Sequence, residues 1–414
     1  MPRGFFPQQD TGMGQAITEG PQTASFKAMA RLQTQAAETI SHHEDVATVT
    51  SFIGVDGNNP TLNTGRMQIA LTPHAQRTKT AAQIIEELAR DFGNEPDFRV
   101  YFQPIQELTV DDQISRTAYQ MALSDPDPLV LNTWVPSWLE HLQQLPQLAE
   151  VATDLQSRGQ QVMVEIDRDA AARLGISKST IDDVLYDAFG QRLISTIYTQ
   201  SAQYRVVLEV APSFSQSPEA LRAIYVPTRS GEVVPLAAIA QMRQMAVELS
   251  IDRLDQFPAT QLSFNVAKGY SLSDAVQAIQ QSAADLGLPD STELRFLGAA
   301  QAFEASLSST LWLLLAAVVT MYIVLGILYE SYIHPITILS TLPSATIGAL
   351  AALLITGREL DMVGVIGIIL LIGIVKKNAI MMIDFALVAQ RQDKLPAQQA
   401  IHQAALLRFR PILM

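Results

Sequence analysis

Between Gly367 and Phe385 the chain reads GIILLIGIVKKNAIMMIDF, an apolar run of membrane-spanning length with two adjacent lysines inside it. About 20 apolar residues suffice to cross a bilayer core, and a lysine near the middle of such a helix costs about 2.5 to 3.5 kcal/mol on insertion scales. Lys376 and Lys377 therefore either snorkel to an interface or face a protein interior, where intramembrane charges act on protons or ions. Asp384 follows Lys377 by seven residues. On a helix the two lie within about 20° of one face but about 10.5 Å apart along the axis, too far for a direct ion pair. Asp384 is expected near the interface, and the interiors of the neighbouring apolar runs hold no acidic residue.

Three such runs follow one another at Leu311–Leu328, Pro335–Ile355 and Met362–Leu387, and the sequence predicts three transmembrane helices over 306–387. Gly348, Gly364, Gly367 and Gly373 suggest close helix packing. After the third run come Arg391, Lys394, Arg408 and Arg410, whereas the link before it holds Arg358 beside Glu359 and Asp361. Basic residues mark the cytoplasmic side, so the C-terminus, with a helix over 388–414, is expected in the cytoplasm. Three crossings back, the body before residue 306 falls on the other side, in the periplasm of a Gram-negative cell.

That body is acidic, with 21 Lys/Arg against 36 Asp/Glu, while residues 306–414 carry seven Lys/Arg and five Asp/Glu. No basic patch with interleaved aromatics appears, so nucleic acid is not an expected partner. The absence of cysteine excludes disulfides, thiolate metal sites and a cysteine nucleophile. His42 and His43 diverge on a helix and lack further ligands, so no metal site and no cofactor is predicted. No P-loop, nucleotide fingerprint or hydrolase motif occurs, which points away from an enzyme.

Periodicity gives the body an α+β class. GQAIT near Gly14, VATVTSFIG from Val46, MQIAL from Met67 and RVYFQ from Arg99 read as strands, with helices over Ala24–Ile40 and Ala81–Phe92. The order βαββαβ is that of a ferredoxin-like lobe. A second lobe opens with YQMAL at Tyr119, a helix around Trp134–Leu145, and strands at Val151–Leu155 and Val162–Ile166 read as a pair; it resumes at Gln261. The residues between read as a β-rich insertion, with hairpins at Leu193–Thr199 with Tyr204–Val210 and around Ser230–Gly231. The domains expected are 9–108, then 109–176 with 251–303, an insertion at 177–250, and the membrane part.

The runs LYESYIHPITILSTLP, IGIVKKNAIMMIDFA and LLRFRPILM, with FFPQQDTG, IDRDAAARLGIS and FGQRLISTIYTQSAQYRVVLE, resemble the second half of a resistance-nodulation-division (RND) multidrug efflux permease. The resemblance implies a proton-driven drug exporter of the inner membrane, working as a trimer with a periplasmic adaptor protein, an outer-membrane channel of TolC type and a related permease protomer in a hetero-trimer. Amphiphilic drugs are the implied substrates. Lys377 falls on the family's relay lysine, with Lys376, Asn378 and Asp384 in support. The two lobes would be porter subdomains flanking a drug cleft, and the insertion would be the docking part that meets the exit channel.

By the same resemblance Tyr101, Phe102 and Glu107 match the cleft mouth, while Phe52 and Met67 lie near the family's deep aromatic pocket. Ser51 to Met67 offers only Phe52 as an aromatic, beside Ile53 and Leu62, a departure from a phenylalanine-rich pocket. The chain would begin after the seventh span of a twelve-span permease and end before the eleventh, and alone is not expected to pump. The alternative from another class is a membrane-anchored periplasmic binding or assembly module.

Overall fold

The structure is a computed structural model that describes residues 4, 6, 9–55, 61–92, 98–107, 110, 115–215, 217–357, 360–392 and 394–413. Arg358 and Glu359, used above for orientation, lie outside the described residues.

In the first lobe, β1 (Met13–Glu19), α1 (Phe26–Ser41), β2 (Val46–Ile53), β3 (Thr64–Leu71), α2 (Ala81–Phe92) and β4 (Arg99–Pro104) follow the expected βαββαβ order. The sheet runs β2-β3-β1-β4, all antiparallel. The period-two alternation of β1 decides its two faces. Ala16 on that strand packs with Met67 and Ile69 of β3, Phe102 of β4, and Ile84 and Leu88 of α2, which forms the core beneath the helices. Gly14 faces the same side, and a Cβ there would meet the Ile85 Cδ1 of α2 at 2.7 Å, so a side chain at this position would have to displace Ile85.

The second lobe begins with β5 (Tyr119–Ser124), α3 (Pro128–Leu142) and β6 (Leu148–Thr153). Residues 156–249 then form a separate compact unit. It contains β7 (Gly159–Ile166), α4 (Arg168–Arg173), α5 (Lys178–Phe189), the hairpin β8 (Arg192–Tyr198) with β9 (Gln203–Leu208), the short pair β10 (Tyr225–Pro227) with β11 (Val233–Pro235), and β12 (Ala240–Val247). Its core gathers Ile181, Val226, Leu236 and Ile239. Here β7 pairs with β12 over its whole length, from Gly159 opposite Val247 to Ile166 opposite Ala240. The expected pairing of Val162–Ile166 with Val151–Leu155 is corrected: β6 pairs instead with β14.

The second lobe is completed by β13 (Arg253–Leu254), β14 (Phe257–Val266), α6 (Leu272–Leu286) and β15 (Glu293–Leu297). Its main strands lie in the order β6-β14-β5-β15, with β13 on the free end of β14. This repeats the ferredoxin-like arrangement of the first lobe. Trp138, Leu142, Phe264 and Ile279 are fully buried between α3, α6 and the sheet, and the Trp138 Nε1–H donates to Ser282 Oγ at 3.2 Å. A buried indole is thereby satisfied.

The C-terminal part is helical: α7 (Gly298–Tyr329), α8 (Ile333–Leu339), α9 (Leu342–Ile355), α10 (Met362–Gln392) and α11 (Ala397–Leu413). Two stretches are long and apolar enough to cross a membrane, Ile333–Ile355 and Met362–Gln392; Leu315–Tyr329 is a shorter apolar segment within α7. The first of these stretches is broken between α8 and α9. Pro343 has no N–H for the carbonyl of Leu339, and its ring would clash there, so the helix restarts at Leu342. Asp361 starts α10 by accepting the Gly364 N–H at 2.6 Å. The glycine expectation finds no steric support among the described residues: at Gly364 an added Cβ would lie 3.8 Å, an ordinary contact distance, from Leu353 of α9, and Gly348, Gly367 and Gly373 have no neighbour within 4 Å of that position.

Candidate functional sites on a sheet face and a membrane helix

The helix-free face of the first lobe is polar. Register pairs Phe52 with Arg66, Thr50 with Gln68, Ile17 with both Arg66 and Tyr101, and Gln15 with Gln68 and Gln103. These side chains alternate away from the core, so they share one surface. On it the Arg66 guanidinium lies over the Phe52 ring, 5.2 Å from its centroid. A ring face attracts a cation in this geometry, and the pair offers an apolar plane beside a fixed positive charge. Phe52 is 42% exposed and Glu107 is also exposed.

Met67 and Phe102 lie on the opposite side. They are 1% and 4% exposed and belong to the core under α1 and α2. Neither presents a surface to a ligand, and the expectation that they line a cleft is corrected by strand parity: Met67 pairs with Ser51, one residue away from the Phe52–Arg66 pair. Tyr101 is on the open face but only 9% exposed. Burial pushes its phenol up, and the nearby Glu19 carboxylate adds to the effect.

Sequence reasoning missed the charges around Tyr101. Arg116, in the connection from β4 to β5, donates from Nε to Glu19 Oε2 at 2.8 Å, and both side chains are largely buried. Arg99 on β4 interacts with the Tyr101 hydroxyl and with Glu19. Glu19 and Arg116 are 97 positions apart and no local pattern links them. Of two shallow grooves elsewhere, one between α1 and β2 around Gln33 and Val49 includes Ile53 but not Phe52 or Met67, and one around Gln280 and Glu304 contains none of the residues singled out from the sequence.

On α10, Ala379, Ile380 and Ile383 pack against Leu325 and Tyr329 of α7 and Ile338 of α8. The middle of this packed side is about 100° around the helix from Lys377 and coincides with the direction of Lys376. Lys377 is exposed, Lys376 and Asn378 are half-buried, and among the described residues neither lysine forms an ion pair. Asp384 lies close enough to Tyr329 for the carboxylate and phenol to interact. Asp384 thus has a neighbour within the chain, and Lys377 turns toward space that the described residues do not fill. At the far end of α10, the Arg408 guanidinium of α11 stacks over Phe385 at 5.0 Å.

The sequence profile described as the AcrB/AcrD/AcrF family matches residues 1–414. Among solved structures, the chain is similar to the X-ray crystal structure of a heavy metal efflux pump, with a TM-score of 0.86 and 22% sequence identity. That similarity covers 100% of this chain and 43% of the pump chain, so this sequence spans less than half the length of its structural relative.

Proposed function

Because this chain belongs to the AcrB/AcrD/AcrF family of RND permeases, whose members are inner-membrane transporters, we propose that it is the second half of an MdtB-like permease that exports amphiphilic compounds by drug/proton antiport. In this reading the two ferredoxin-like lobes are periplasmic porter subdomains, and residues 156–249 are the docking part that meets the exit pathway. The permease works as a hetero-trimer with an MdtC-like protomer, a periplasmic adaptor and an outer-membrane channel of TolC type. Leu315–Tyr329 and the rest of α7 supply a third span, and the C-terminus is cytoplasmic.

The observation that carries the proposal is the placement of Lys377. It sits within a membrane-length helix, is exposed about 100° around from the side that packs on α7 and α8, and has no acidic partner among the described residues. A charge in that position needs a carboxylate from another helix, since an unpaired intramembrane lysine is expensive. The first half of the permease would supply it. When that carboxylate takes up a proton the ion pair is released, and this coupling ties proton entry to a rearrangement of helices. Phe52 with Arg66, Tyr101 and Glu107 would line the drug path, and Asn378 and Lys376 would support the relay.

The test is transport in a complete permease carrying this sequence as its second half, reconstituted in vesicles with an imposed proton gradient. Lys377→Ala is expected to abolish gradient-driven efflux of an amphiphilic dye while dye binding persists. Undiminished efflux would remove Lys377 from the mechanism.

A further inference from the structure

Within residues 156–249, the ladder of β7 and β12 has one face on the core and one open. Strand β7 alternates between exposed Gln161, Met163 and Glu165 and half-buried Val162, Val164 and Ile166, and on β12 the exposed Gln241, Arg243 and Met245 share the open side. Val164, Ile166 and Met242 pack on the core of the unit. Register places Gln241 opposite Glu165, Arg243 opposite Met163 and Met245 opposite Gln161. Before α7, Met163 and Met245 are the only exposed methionines among the described residues, at 53% and 44%, and both fall on this face. Methionine is ordinarily a core filler.

A neighbouring contact shows how far side chains reach across the ladder. Glu165 and Arg243 are diagonal partners, and Arg243 Nε lies 3.4 Å from Glu165 Oε2. Met163 and Met245 occupy the next diagonal of the same direction. Residues so placed start within about 7 to 8 Å of one another, and long side chains meet. Methionine is unbranched, with three rotatable bonds and a polarizable sulfur, so two thioethers can converge on one ion.

We propose that Met163 and Met245 form a site for a soft monovalent cation, Cu(I), held between their Sδ atoms, with the Gln161 carboxamide oxygen opposite Met245 as a third donor. Thioethers select Cu(I), whereas carboxylates and carbonyls suit the hard divalent ions. Glu165 and Arg243, the charged side chains of this face, pair with each other, so no net charge repels the ion. Among the described residues no group of three His, Asp or Glu forms a competing metal site, and the chain has no cysteine thiolate. A thioether site needs none of the residue types whose scarcity argued against a metal centre in the sequence. It also has no proton to release, so its affinity is independent of pH, unlike that of a histidine or carboxylate site. The site lies wholly within residues 156–249 and does not rest on the transport reading.

Silver(I), a soft monovalent ion that does not change oxidation state in air, is the probe. The full chain in nanodiscs, labelled at the methionine methyl groups, is titrated with silver nitrate in chloride-free buffer and followed by nuclear magnetic resonance. The Met163 and Met245 signals should shift together and saturate at one ion per chain, with the same midpoint at pH 5.5 and pH 7.5, while the buried Met67 and Met121 stay unmoved. Met163→Leu should weaken the Met245 response by more than about tenfold, and Met245→Leu the Met163 response alike, since a single thioether is a poor site. Both positions are exposed, so these variants keep the fold. Gln161→Met, which adds a third thioether, should tighten binding. A Met245 response unchanged in Met163→Leu, a midpoint that moves with pH, or no shift in the unaltered chain would each overturn the proposal.

Discussion

Arg77 Nη1 donates to Asp10 Oδ2 at 2.9 Å, and the same carboxylate oxygen accepts the Ala81 N–H at 2.9 Å, so one residue ahead of β1 both pairs a guanidinium and caps the start of α2. The Arg77 side chain is 1% exposed and also donates to the carbonyls of Thr72 and Lys79. The Arg77 hydrogen bond, with those from Ala81 and Gly12, holds the Asp10 carboxyl down at about 2. A folded value below the unfolded one contributes stability above pH 4 that is lost as the pH falls toward 2, here about 2 kcal/mol. Asp10→Asn leaves the buried cation without its counter-charge and should cost about 3 kcal/mol at pH 7. Denaturant unfolding of the two proteins should show that difference shrinking from pH 4 to pH 2; a constant gap would mean the charge contributes nothing.

Phe52 and Met67 are near neighbours in the first-lobe sheet but on opposite faces, and substitution should separate a surface role from a core role. Met67→Ala removes buried side-chain volume beneath α1 and α2 and should cost about 2 to 5 kcal/mol. Phe52→Ala forfeits mainly the contact with Arg66, worth less than about 1 kcal/mol. In return it should weaken binding of an amphiphilic dye several-fold, read by fluorescence titration. Equal losses of stability in both variants would contradict the assignment of faces.

Much of this was legible in the sequence where the signal is local. β1 alternates residue by residue between core and open face, and α2 buries Ala81, Ile84, Ile85 and Leu88 at helical spacing, so the βαββαβ order follows from pattern alone. Pairing between distant strands is another matter. Val162, Val164 and Ile166 alternate identically whether β7 joins β6 or β12, and only the closed unit of residues 156–249 decides between them. The cleft residues failed on parity, since a shift of one position moves a side chain through the sheet: Phe52 remained outside while Met67 and Phe102 went to the core. Asp10 with Arg77, and Glu19 with Arg116, are long-range pairs with no local signature. Lys377 was legible because a charge inside an apolar run is costly wherever its partner lies.

Helix α6 offers a test of local encoding inside the second lobe. Ser271 and Asp274 form a reciprocal box: the Asp274 N–H donates to Ser271 Oγ at 3.3 Å, and the Ser271 N–H donates to Asp274 Oδ2 at 2.9 Å. Gly287 closes the other end at φ 69°, a left-handed position that suits glycine. The hydrogen bonds from the Ser271 backbone and then its side chain hold the Asp274 carboxyl below the usual carboxylate range. Its share of stability is therefore present at neutral pH and fades as the carboxylate is protonated in acid. Ser271→Ala should lower stability by about 1 kcal/mol in thermal unfolding at pH 7. No change would mean that α6 is held by its buried face alone.

The adjacent lysines of α10 should differ in what their loss does. Lys376 is half-buried on the side of the helix where Ala379, Ile380 and Ile383 pack, whereas Lys377 is exposed about 100° around from it. If both lysines merely snorkel, Lys376→Ala and Lys377→Ala remove similar costs of insertion and leave gradient-driven efflux alike. If Lys377 pairs with a carboxylate of the first half, its removal strands that carboxylate, and breaking a buried pair costs about 3 to 5 kcal/mol. The lost pair is also the element that senses the proton, so efflux in the complete permease should fall by more than about tenfold for Lys377→Ala, a factor worth only 1.4 kcal/mol. Lys376→Ala should retain most of it. Measured side by side in the same vesicles, equal rates for the two variants would favour snorkelling over the relay.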